Sequence, residues 1–137
     1  MAEKIRIEVM RSQLGRVRGT GSAHAGVHHW YAERVTAMAL VPLTLWFIYA
    51  MLHLIGQPQQ VVAAWVAHPW NTVLLLALIA ATFHHMQLGL QVVYEDYVDA
   101  KWFMNVLILA TKAASFLLGL AAAVAVLRLA FTTPISV

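Results

Sequence analysis

From Val35 to Tyr94 the chain carries no lysine, arginine, aspartate or glutamate, a run of sixty residues without a formal charge. A transmembrane helix needs about 20 predominantly apolar residues, so this run has room for two spans with a turn between them. A soluble domain of 137 residues would carry about 25% charged residues, whereas here charged residues make up 11% and hydrophobic ones 61%. The sequence therefore predicts an all-α membrane protein.

The remaining signals place the spans. The first is expected from about Trp30 to Ile55, with Trp30 and Tyr31 as interfacial aromatics, Arg34 just inside, and Pro42 in its interior. The second runs from about Asn71 to Tyr94, and the third from about Trp102 to Phe131, where Gly119, Ala121, Ala122 and Ala123 would allow close helix approach. Residues 56 to 70 mix Pro58, Gln59 and Gln60 with Val61, Val62 and Trp65, which suits a short helix lying in the membrane interface. The expected organisation is an aqueous arm over residues 1–29, a three-helix anchor over 30–131 and a tail over 132–137.

Charge sets the orientation and excludes several functions. Six of the nine basic residues lie at or before Arg34, while residues 56 to 70 have none. The positive-inside rule then places the arm in the cytoplasm, the first loop outside and the carboxyl terminus in the periplasm. The same clustering marks a basic membrane flank rather than a nucleic-acid surface. Gly19 to Gly26, GTGSAHAG, follows no strand and does not complete a dinucleotide fingerprint. The absence of cysteine leaves neither a disulfide framework nor thiolate ligands, so any metal chemistry of this chain rests on histidine.

Chemistry is concentrated in His84 to Tyr97, HHMQLGLQVVYEDY. Ionisable residues in mid-span are costly and point to function. His84 and His85 sit near the middle of the second span, where each imidazole nitrogen needs a partner: an iron atom, or a hydrogen bond to a neighbouring helix. Consecutive helical residues point about 100° apart, so only one of the two can ligate a given flat cofactor. His85 is the better placed, because Gly89 lies one turn along its own face and leaves room for a porphyrin edge. On that face His85, Gly89, Val92 and Asp96 fall within roughly 40° of one line. A bis-histidine haem would need a second ligand at equal depth. His53 and His68 lie too far out, and His24, His28 and His29 belong to the opposite surface, so that ligand is expected from another subunit. Arg34 could pair with a haem propionate or a lipid phosphate. Tyr97, about 18 Å along the helix from His85, suits either an interfacial belt or a hydrogen bond to a quinone carbonyl, with Asp96 able to orient its hydroxyl.

HMQLGLQVVYEDY, His85 to Tyr97, closely resembles the second-helix motif of the small membrane-anchor subunits of succinate dehydrogenase: a histidine, Gly four positions on, and Asp-Tyr at eleven and twelve. Gly21 to Phe47 looks like the family's approach to its first helix, and the resemblance covers roughly Leu14 to Phe131. The doubled histidine departs from the pattern. The resemblance implies that His85 is an axial ligand of haem b, opposite a histidine of a large cytochrome b-type anchor subunit. It implies that Tyr97 hydrogen-bonds ubiquinone with Asp96 beside it, and that Arg34 lies near the propionates and the quinone pocket. The implied partners are an iron–sulfur subunit with its clusters, a flavoprotein subunit with FAD, and the lipid of a bacterial inner membrane. An anchor of a quinol:fumarate reductase and a non-haem structural membrane subunit are the alternative functions.

Overall fold

The structure, a computed structural model, describes residues 12–14 and 24–132. Three long helices dominate it: α1 (His24–Leu54), α3 (Pro69–Tyr97) and α4 (Lys101–Thr132), with a nine-residue α2 (Gln59–Ala67) between the first two. Each long helix contains a stretch of 29, 29 or 32 residues apolar enough to cross a membrane. At about 1.5 Å per residue such a stretch exceeds the roughly 30 Å hydrocarbon core of a bilayer. The three expected spans are therefore present. α1 starts at His24, so the helix reaches back into residues assigned to the arm. Otherwise that arm, and the tail after Thr132, lie outside the described residues apart from 12–14.

The breaks between helices follow from local chemistry. Gly56, at φ 78, adopts the left-handed conformation that ends α1, and the Gln57 amide bonds the Leu54 carbonyl at 3.1 Å. Pro58 then precedes α2. His68, with extended backbone (φ −62, ψ 127), separates α2 from α3, and Pro69 opens α3 where its missing N–H costs nothing. Two side chains from the first turn of α3 reach back to the last carbonyls of α2. Asn71 Nδ2 donates to the Trp65 carbonyl and Thr72 Oγ1 to the Val66 carbonyl, both at 2.7 Å. The indole of Trp65 stacks on that of Trp46, with centroids 5.7 Å apart, which ties α2 to α1.

α3 lies between α1 and α4 and packs against both. The three-residue link from Val98 to Ala100 forces α3 and α4 into an antiparallel pair, braced by a 3.0 Å hydrogen bond between Tyr94 Oη and Thr111 Oγ1. Few side chains are buried, the apolar ones among the described residues being Ala50, Val66, Ala67, Leu75 and Leu88. The outward faces are apolar along all three long helices, as they must be against lipid tails or the helices of a partner. Lys112 is exposed on α4, in keeping with a snorkelling or protein-facing role.

Candidate functional site

The helical twist sends the two adjacent histidines to different neighbours. His85 turns towards α1, where its Nδ1 lies 3.0 Å from Thr36 Oγ1. Its ring is half-buried, and among the described residues no other side chain hydrogen-bonds it. His84 lies on the other side of α3, in an apolar groove against α4 lined by Phe83, Gln87, Ser115, Phe116 and Gly119. One turn on from His85, a Cβ built at Gly89 would meet nothing within 4 Å, so the gap expected beside His85 is open space.

Towards the carboxyl end of α3, the α1–α3 interface widens into a cleft of about 520 Å³, lined by Gly26, His29, Trp30 and Glu33 from α1 and Gln91, Val92 and Glu95 from α3. Gln91 Nε2 donates to Glu95 Oε1 at 2.8 Å, which fixes one carboxylate of the cleft. Inside it His29 Nε2 is buried without a partner among the described residues.

Sequence reasoning singled out neither Thr36 nor the placement of His29 in this cleft. The signal was available: His29, Glu33 and Thr36 stand at i, i+4 and i+7, one face of a helix, and that face meets α3. A threonine inside an apolar helix is unremarkable until the helix opposite it is known.

The other expected site residues stand apart. Arg34 is exposed, with its guanidinium 5.6 Å from the centroid of the Trp30 ring, and does not line the cleft. Tyr97 is 83% exposed at the end of α3. Asp96 is also exposed, and no hydrogen bond joins it to Tyr97 among the described residues. Among the described residues, no group of three or more His, Cys, Asp or Glu side chains converges as a metal site would require. The chain thus presents a mid-span histidine with open space beside it, and separately a tyrosine, a carboxylate and an arginine on outer surfaces.

Three long apolar helices with α3 between the other two define a small multi-pass membrane protein. The family model described as succinate dehydrogenase/fumarate reductase transmembrane subunit matches residues 8–127. Among curated relatives, the succinate dehydrogenase hydrophobic membrane anchor subunit of Rickettsia bellii is 36% identical over 116 residues, covering 85% of this chain and 93% of the relative. The subunit of the same name from Rickettsia conorii is 32% identical over 100 residues (72% and 79%). That of Paracoccus denitrificans is 30% identical over 79 residues (58% and 61%). No solved structure matches the chain. The chain belongs to the succinate dehydrogenase/fumarate reductase transmembrane subunit family.

Proposed function

We propose that this chain is the hydrophobic membrane anchor of a bacterial succinate:quinone oxidoreductase, providing one axial ligand for haem b and part of a ubiquinone site. In this reading the amino terminus is cytoplasmic, the carboxyl terminus periplasmic, and α2 lies along the outer interface. The flavoprotein and iron–sulfur subunits dock on the cytoplasmic side, and a large cytochrome b-type subunit packs against the apolar faces that α1, α3 and α4 leave uncovered.

The observation that carries the reading is the division of labour along α3. His85 is held at mid-span beside an open gap at Gly89, and Tyr97 emerges 83% exposed at the end of the same helix. The donor set fits half of a bis-histidine haem. One imidazole is oriented through Nδ1, its other nitrogen has no hydrogen-bond partner among the described residues, and no side chain fills the space one turn away. When bound, the haem would supply a one-electron centre within the membrane. His85 would hold it, and a histidine of the large subunit would complete the ligand pair.

At the cytoplasmic surface, electrons from succinate arrive through the iron–sulfur subunit. The Tyr97 hydroxyl donates to a quinone carbonyl, stabilising the negative charge that develops on that oxygen as electrons enter. Asp96 orients the hydroxyl once the partner subunits cover both residues. Arg34, always cationic, serves an anionic propionate or the quinone pocket from the neighbouring helix end. The flavin chemistry belongs to the flavoprotein partner.

The deciding experiment is a reduced-minus-oxidised spectrum of the purified complex, together with succinate-to-ubiquinone activity. A b-type Soret band and quinone-linked turnover support the reading; a complex with neither overturns it. The family description covers fumarate reductases as well, and the potential of the quinone used distinguishes that direction of turnover.

A further inference from the structure

We infer that Thr36 is a positioning residue for His85: it fixes the imidazole in the tautomer that carries its proton on Nδ1 and leaves Nε2 free as a metal ligand. The inference rests on the haem reading and adds a residue of α1 to it.

The proton count around Thr36 Oγ1 decides the direction of the bond. That oxygen lies 2.9 Å from the Ala32 carbonyl, 3.0 Å from the Glu33 carbonyl and 3.0 Å from His85 Nδ1. A hydroxyl has one proton and two lone pairs, and a carbonyl oxygen has no proton to give. The Thr36 proton is therefore shared between the two carbonyls one turn back, leaving a lone pair directed at His85. Were the hydroxyl to donate to Nδ1 instead, its oxygen would face two carbonyl oxygens with no proton between them. His85 must then donate Nδ1–H to Thr36, which puts the ring's remaining lone pair on Nε2.

Two consequences follow for a ligand histidine. The bond fixes the ring's rotation about its Cα–Cβ and Cβ–Cγ bonds, so Nε2 is aimed before any metal arrives. It also draws Nδ1–H towards an acceptor whose own proton is already engaged by carbonyls, which makes Nε2 the stronger donor. A stronger donor favours ferric over ferrous iron and so lowers the potential. The i−4 back-bond of a threonine inside an apolar helix, otherwise a slight cost to that helix, is here what frees the lone pair.

The test uses the purified complex with Thr36→Val, which keeps the side-chain shape and removes the hydroxyl, and with Thr36→Ser, which restores it. Haem transfer to excess apomyoglobin and redox titration are the readouts. We expect Thr36→Val to lose haem about 10–100-fold faster and to titrate at a more positive potential, with Thr36→Ser near wild type in both. Wild-type behaviour of Thr36→Val, or equal loss in both variants, overturns the inference, the second outcome by showing a packing role. Histidine-15N NMR of the wild-type complex in lipid, freed of haem, needs no variant. An Nδ1-protonated His85 supports the inference, and an Nε2-protonated ring overturns it even if Thr36→Val fails to assemble. His85→Ala separates this from the underlying reading: an unaltered haem spectrum there would remove the ligand assignment itself, and the role of Thr36 with it.

Discussion

Gly119 of α4 faces the ring of Phe83 of α3 so closely that a Cβ built on the glycine would lie 3.3 Å from Phe83 Cδ2. The two helices meet through this pair just beside His84, and a larger side chain would wedge them apart. We expect Gly119→Leu to destabilise the anchor by about 1–3 kcal/mol, the usual cost of overpacking. Thermal unfolding of the solubilised complex reads this directly. An unshifted midpoint would show that Phe83 can swing aside.

Gly89 is the opposite case, since nothing lies within 4 Å of its missing Cβ. If that space is kept for a cofactor, Gly89→Leu should leave membrane insertion and assembly intact while haem content falls several-fold. The same variant with full haem content would mean that the gap beside His85 is not the cofactor's edge. Pyridine haemochrome assay against total protein of the purified complex gives the ratio.

The number of spans was legible in the sequence because charge exclusion from hydrocarbon is severe and local: the uncharged run from Val35 to Tyr94 has room for two, and the apolar segment from about Trp102 to Phe131 makes the third. The split of His84 and His85 between two faces was legible too, since 100° per residue is a property of any helix. What lay opposite each face was not. That His85 meets Thr36, and His84 a groove beside Ser115 and Gly119, depends on how α3 is rotated between two neighbours. In an apolar segment every face is hydrophobic, so periodicity gives little rotational signal. The sites of Arg34, Asp96 and Tyr97 are illegible for a further reason: these side chains lie on outer surfaces whose surroundings another chain would supply.

Topology can be checked without any assumption about cofactors. Single cysteines at Ser12 and Gln59, in a chain that has none of its own, should react with a membrane-impermeant maleimide from opposite sides. Periplasmic labelling at position 59 alone in intact cells fits the basic amino-terminal flank inside. Labelling of both positions from the periplasm would sink the three-span arrangement, because one span separates them, and labelling at position 12 alone would reverse the orientation.

The histidine pair gives a sharper test. His85 has α1 and the Gly89 gap beside it, whereas His84 faces the α4 groove. His85→Ala should abolish or severely perturb the b-type spectrum, and His84→Ala should largely spare it. The reverse pattern would transfer the ligand role to His84 and make the α3–α4 groove the haem edge. Loss in both would leave the choice of ligand open and point to support of one histidine by the other.

Tyr97 sits at the helix end where either a lipid-belt aromatic or a quinone ligand would be found, and the two roles use different parts of the side chain. Anchoring uses the ring. A contact with quinone uses the hydroxyl, worth about 0.5–1.5 kcal/mol net and more where it stabilises charge on the reduced quinone. Tyr97→Phe removes the hydroxyl and keeps the ring, so a belt residue should hardly notice the change. For a quinone ligand we expect the succinate-to-ubiquinone rate to fall at least several-fold, while the rate to an artificial acceptor that takes electrons upstream of the quinone stays at the wild-type level. Haem content should be unchanged, because Tyr97 is about 18 Å along α3 from His85. Equal retention of both rates would assign Tyr97 to the belt. Equal loss of both would place its role in docking the soluble subunits, since a defect confined to the quinone cannot slow electrons that leave before reaching it.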